Sequence, residues 1–215
     1  SIDSVVITLD THSVNHIAHK NWWVNAEGKN PSDFTIISVK DVEDGTWKAA
    51  NPAEQEWGVN YVKTLADKGK YPLCIWPFHC IKGSEGFEVE QTFAGAVSEW
   101  EKFNGLTATY INKGQNDLTE HYSGLSAEVP VPNDPETQLN VAAIKALNSH
   151  DVIYVAGEAL SHCVAYTTLD LLQNLPLEDR SKVVLLTDCM SPVAGFEQAG
   201  KEFLLEATRM GARSL

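Results

Sequence analysis

Four short apolar runs constrain this chain more than any other feature. They occupy residues 5–9, 107–111, 152–156 and 183–187, the first reading Val5-Val6-Ile7-Thr8-Leu9. Branched side chains such as Val, Ile and Thr pack well on a pleated surface and lose rotamer freedom in a helix, so these runs predict strands. Their apolar residues are consecutive rather than alternating, the pattern of a strand covered on both faces. Between the runs the apolar positions take a helical period over 53–68, 92–103, 135–147, 162–172 and 196–209. Gly69, Gly105 and Gly211 stand where three of these segments stop, and Asn133 or Asp134 is placed to cap a fourth. Strands alternating with helices predict an α/β fold, a parallel sheet with helices on both faces.

A length of 215 residues accommodates one domain with a large core. With 29 acidic against 16 basic residues and a net charge of −13, the surface does not suit nucleic acid, which demands clustered Lys and Arg. The same balance argues against a polybasic membrane patch, and no apolar run approaches the roughly 18–20 residues that cross a bilayer. Cys74, Cys80, Cys163 and Cys189 form no close-spaced CxxC pair. That excludes a zinc ribbon and a thioredoxin motif, and sparse cysteines predict reduced thiols in a cytoplasmic compartment. Residues 21–51 differ from the rest, being rich in Trp, Asn, Asp and Gly around Pro31. They read as an extended loop insertion between a strand and the next helix. Trp22, Trp23 and Trp47 either wall a pocket or pack beneath that loop, and packing is the commoner outcome.

Four motifs carry chemistry, and three of them follow a predicted strand, where parallel sheets bind ligands. In Asp10-Thr11-His12-Ser13-Val14-Asn15-His16, a carboxylate and an imidazole two residues apart point to the same side. Such a pair chelates a divalent ion, and Asp/His/His sets suit zinc, manganese or iron. A lone DxH is a weak signal, since most such pairs are surface turns. His16 and His19 are further ligands or simply loop residues. In Cys74-Ile75-Trp76-Pro77-Phe78-His79-Cys80, His79 in its Trp/Pro/Phe setting is either packed or ligating, and Asp10 with His12 tips the balance to ligation. Lys113-Gly114 follows the strand at 107–111. A lysine buried there would stabilise a nearby thiolate, while a solvated turn lysine would do nothing. Finally, Cys163 lies in the first turn of the helix after the strand at 152–156. A helix amino terminus favours a thiolate and a developing oxyanion. Cys74, Cys80 and Cys189 lack such placement.

Taken in order, DTHxxxH, WPFHC, Lys113-Gly114 with Tyr122-Ser123 downstream, and the stretch Gly157-Glu158-Ala159-Leu160-Ser161-His162-Cys163-Val164 resemble the isochorismatase-like cysteine hydrolases. The likeness is greatest to the nicotinamidase-related amidases. It implies a Rossmann-like sheet and a Cys–Lys–Asp triad beside one divalent metal, zinc before manganese or iron. Cys163 then matches the nucleophile, Lys113 its activating cation, and Asp10, His12 and His79 the metal ligands. His16 takes the place of a histidine that ligates in some members. Glu158–Ala159 aligns with a non-proline cis peptide, the amides of Ala159 and Cys163 with the oxyanion hole, and Trp76 with an aromatic wall for the substrate ring. The resemblance implies hydrolysis of a small, nicotinamide-like carboxamide by a homo-oligomer. Cys163 separates the chain from the vinyl-ether branch, and DxH with His79 from the metal-free branch. The family's triad Asp lies in a first-strand motif similar to DxQxDF, without counterpart in residues 1–215. That strand is central in the family's sheet, so the expectation is a chain lacking its first strand and belonging to a longer protein. The alternatives are a non-catalytic homologue that binds a small molecule and, last, a redox-sensing thiol protein.

Overall fold

The computed structural model describes residues 2–215, and its internal contacts gather into two compact units, Ser1–Glu120 and His121–Leu215. In the first unit the elements run β1 (Val6–Asp10), β2 (Trp23–Val24), β3 (Ile36–Ile37), α1 (Val39–Asp44), β4 (Lys48–Ala49), α2 (Gln55–Asp67), β5 (Leu73–Cys74), α3 (Gln91–Asn104) and β6 (Thr109–Lys113). β1 and β6 pair in parallel, in register from Val6 opposite Thr109 to Asp10 opposite Lys113. Ile7 packs with Val97 of α3 and with Ala108, and Gly105 ends α3 in the left-handed conformation, φ 66°. β6 begins two residues later than the apolar run predicts. The Ala108 N–H donates to the Glu101 carboxylate at 2.8 Å, which ties position 108 to α3 and carries the ladder on to Lys113.

The segment 21–51 is not irregular throughout. β2 pairs antiparallel with β4, and β3 with β5. α1 is held by a capping box in which Ser38 and Asp41 each accept from the other's backbone N–H. Trp22 and Trp23 are buried, their ring centroids 4.4 Å apart. They lie against α2 at Gly58, where an added Cβ would stand 2.8 Å from the Trp22 ring. α2 buries Gly58, Tyr61, Val62 and Leu65, a stripe at the i, i+3, i+4, i+7 spacing of an amphipathic helix.

The second unit contains α4 (Val141–Asn148), β7 (Ile153–Val155), α5 (Cys163–Asn174), β8 (Val183–Leu185), α6 (Glu197–Met210) and β9 (Arg213–Ser214). β7, β8 and β9 form a parallel sheet in that order, connected through α5 and α6 as two βαβ crossovers. Its core joins Leu171 and Leu172 of α5, Phe203 and Ala207 of α6, and Val183 and Leu185 of β8. Full burial of each large apolar side chain is worth about 1.5–3 kcal/mol. The helix expected over 135–147 is split. Asp134 caps a 3-10 turn at Pro135–Thr137, and α4 starts afresh with the Asn140 side chain accepting from the Ala143 N–H. Among the described residues β1 pairs only with β6 and β7 only with β8. No helix among them is long and apolar enough to cross a membrane. The protein is thus α/β with parallel strand pairing.

Candidate active site

Asp10 and Lys113 close the β1–β6 ladder as register partners, so their side chains emerge on the same side. Lys113 Nζ donates to Asp10 Oδ1, and the lysine side chain is only 4% exposed. An ammonium so deeply buried requires an anion beside it. Burial raises the Asp10 carboxyl, but the charge of Lys113 and its hydrogen bond outweigh it and hold the group below the usual carboxylate range.

His12 follows two residues on, and its ring is fixed from the opposite strand's continuation. Its Nδ1 lies 3.2 Å from the Gly114 carbonyl oxygen. A carbonyl only accepts, so Nδ1 donates and Nε2 is left with its lone pair. That Nε2 is 4.0 Å from Asp10 Oδ1 and 4.0 Å from Glu120 Oε1. His79 is set in the same way, its Nδ1 donating to the Pro77 carbonyl at 2.8 Å. One ligand atom each from Asp10, His12 and His79 falls within 4.8 Å of the others. Two imidazoles and a carboxylate suit zinc, manganese or iron. Backbone carbonyls fixing the outer ring nitrogens are the usual support of ligating histidines.

His16 and His19 complete a histidine cluster but engage the backbone. His16 is buried, its Nε2 donating to the Thr119 carbonyl at 3.0 Å and its Nδ1 accepting from the Ala18 N–H at 3.2 Å. Burial pushes it down to about 3, so it is neutral, and its lone pair is taken. His19 donates from Nδ1 to the Ser13 carbonyl at 2.8 Å and sets Nε2 3.4 Å from His79 Nδ1. Glu120 is the member that sequence reasoning missed. It is buried and grouped with His12 and His16. No local pattern announces it. α2 places it, through Trp57 Nε1 donating to the Leu118 carbonyl at 2.7 Å and Tyr61 Oη accepting from the Glu120 N–H at 3.1 Å. Trp76, half-buried, donates its N–H to the Ala18 carbonyl at 2.8 Å.

In the second unit Cys163 is the first residue of α5, half-buried, with His162 as N-cap. The Glu158–Ala159 peptide is cis. The loop around it is pinned: the Glu158 carboxylate accepts from the Ser191 hydroxyl at 3.0 Å, and the Leu160 N–H reaches the Ser191 carbonyl at 2.8 Å. The His162 Nδ1 lies 2.8 Å from Ser161 Oγ, which accepts from the Val193 N–H at 3.0 Å. All four cysteines are free thiols. Burial pushes Cys74 up to about 11, and the adjacent Asp188 raises Cys189 through a hydrogen bond and its charge. Neither is suited to nucleophilic work.

No protein-family model matches the chain. A nicotinamidase of Acinetobacter baylyi is 23% identical over 168 residues, which is 78% of this chain and 56% of that protein. The chain spans about half the length of the curated relatives it matches. Among solved structures, the yeast nicotinamidase Pnc1p superposes with a TM-score of 0.62 at 18% identity, covering 99% of this chain and 79% of that one. A pyrazinamidase of Pyrococcus horikoshii in complex with zinc gives a TM-score of 0.50 at 18% identity, covering 99% and 74%.

Proposed function

We infer that this chain, which resembles the nicotinamidases in sequence and has their isochorismatase-like fold, carries the machinery of a metal-assisted cysteine amidase for a small, nicotinamide-like carboxamide. The observation that carries the reading is the convergence of Asp10, His12 and His79, three positions separated in sequence and anticipated from their residue types. Cys163 acts as the nucleophile. Its thiolate attacks the amide carbonyl carbon, and the N–H groups of Ala159 and Cys163 hold the oxyanion. The nitrogen departs as ammonia once it has taken up a proton, leaving a thioester on Cys163. Water hydrolyses that bond, releasing the carboxylic acid and restoring the thiol. Lys113 serves as the cation that favours thiolate over thiol. Asp10, His12 and His79 would hold a divalent ion, zinc first and manganese or iron next, with His16 beside them. When bound, the ion supplies a Lewis acid that holds a ring nitrogen or positions water. Four free thiols accord with work in a reducing, cytoplasmic compartment.

Ammonia release from nicotinamide and related amides, measured with zinc, manganese or iron supplied, tests the reading. The wild-type chain is expected to release ammonia, and Cys163→Ala and His12→Ala to lose at least a hundredfold while keeping the wild-type circular dichroism. Binding of nicotinic acid without ammonia release under any of the metals would leave a small-molecule-binding protein and overturn the amidase.

A further inference from the structure

The four clustered histidines have different tasks. His12 and His79 each give Nδ1 to a backbone carbonyl and keep Nε2 for an ion, whereas the backbone takes both ring nitrogens of His16. His19 fits neither pattern. It is fully buried, at 0% exposure, and its Nδ1 lies 2.8 Å from the Ser13 carbonyl oxygen. A carbonyl only accepts, so in the neutral ring Nδ1 carries the proton and Nε2 is an acceptor. That acceptor lies 3.4 Å from His79 Nδ1. The Nδ1 proton of His79 is therefore shared between the Pro77 carbonyl at 2.8 Å and His19 Nε2, a three-centre bond whose longer arm crosses to another loop.

The backbone brings the two rings together. The Trp76 N–H donates to the Ala18 carbonyl at 2.8 Å, and His19 and Trp76 form a parallel bridge. On the far side of His79, the His12 N–H donates to the Cys80 carbonyl at 3.0 Å and the Lys82 N–H to the His12 carbonyl at 2.9 Å. The segment 76–82 is thus laced to 12–19 at both ends, which fixes where His79 stands and leaves its ring orientation to be set. The Pro77 carbonyl belongs to the same short loop and moves with it. His19 is held independently of that loop, through Ser13 and through His12, whose ring it meets edge to face with centroids 5.5 Å apart. Phe78 packs on it in the same way at 5.3 Å.

We propose that His19 is a positioning residue: its Nε2 turns the His79 ring so that Nε2 of His79 faces the ion, and strengthens that nitrogen as a ligand. The chain of bonds runs from the Ser13 carbonyl through His19 to His79, and an outer hydrogen bond of this kind fixes the tautomer and raises the basicity of a ligating imidazole. The proposal rests on the metal site of the amidase reading and adds no ligand to Asp10, His12 and His79. The test compares His19→Phe, which keeps a ring beside His12 and Phe78 but has no acceptor, with His19→Gln, whose side-chain oxygen accepts. Calorimetric zinc titration of the metal-free protein is expected to show about tenfold weaker binding for His19→Phe, and affinity within about threefold of wild type for His19→Gln. A second readout needs neither metal nor turnover: nitrogen NMR of the metal-free wild type should show His19 and His79 both as Nδ1–H tautomers. Wild-type zinc affinity in a folded His19→Phe would overturn the role while leaving an active amidase, and so would an Nε2–H tautomer at His19. Equal losses in His19→Phe and His19→Gln would assign the effect to ring packing and overturn it as well. Zinc affinity that depends on His19 in a wild-type chain releasing no ammonia would overturn the amidase and retain the role.

Discussion

A methyl group at position 114 would stand 2.3 Å from Cε1 and 2.6 Å from Nδ1 of His12, on a backbone whose φ is 74°. Glycine there is what lets the chain after β6 lie flat on the imidazole and accept its Nδ1 proton. Gly114→Ala is therefore expected to displace the His12 ring, weaken zinc binding about 10–100-fold and cost on the order of 1–3 kcal/mol of stability. Calorimetric zinc titration and urea unfolding check both, and wild-type zinc affinity in the variant would refute the role. At this scale the residue types were readable and their partners were not. Asp10 and His12 were a weak signal by themselves, and His79 could equally have been packed; only the three together favoured ligation. Asp10 looked committed to a metal and Lys113 to a thiol, yet the parallel register joins them to each other across a separation of 103 residues. Glu120 carried no mark at all, since an acidic residue in a polar stretch is ordinary until packing gives it neighbours.

Secondary structure followed local chemistry where the signals agreed and departed from it where two signals competed. α2, α3, α5 and α6 appear within about two residues of the periods that predict them, since each has an apolar stripe and, for all but α5, a glycine marks the same end. Around 135–148 two cap residues compete, Asp134 and Asn140, and each starts its own turn. The segment 21–51 holds strands of only two residues, too short for any periodicity to register. α1, with six residues, is below the length at which a helix is stable alone, so its capping box matters more than its propensity. Ser38→Ala should cost about 1 kcal/mol and lower the melting temperature by a few degrees, whereas Ser38→Asp should hold it near wild type. Equal melting temperatures for Ser38→Ala and wild type would show that packing alone holds α1.

For the molecule as a whole, acid is the expected weakness. His16 is neutral and buried, lowered from its ordinary 6.5 to about 3. Between those values the unfolded chain takes up a proton at His16 that the folded chain refuses, so stability falls as pH drops through this window. The full excursion is on the order of 5 kcal/mol. Burial lowers His19 in the same sense. Asp10, held below the carboxylate range despite burial because the Lys113 ammonium faces it, stabilises above the ordinary carboxylate pKa and loses that contribution as pH falls further. Urea midpoints of the metal-free protein at pH 7, 6 and 5 should therefore decline, and His16→Gln should flatten the decline. An unchanged slope in that variant would place the acid sensitivity elsewhere. Saturating zinc should raise the midpoint at pH 7, because an ion held by folded Asp10, His12 and His79 binds the native state selectively, and chelation should reverse the gain.

The amino-acid sequence by itself determined the alternation of strands and helices, the glycine stops and the cysteine that opens α5, and it offered Asp10, His12, His79 and His16 as candidate ligands. Each of these depends on a residue and its near neighbours: branched side chains on a pleat, an amphipathic period, a cap, a donor atom of the right kind. Only the tertiary structure decided that Lys113 rests on Asp10, that His16 is saturated by backbone while His12 keeps a lone pair, that Glu120 lies beside them, and that His19 faces His79. These are contacts between residues far apart in the chain. Their geometry is set by strand register and by which backbone groups remain to be satisfied once the core has packed.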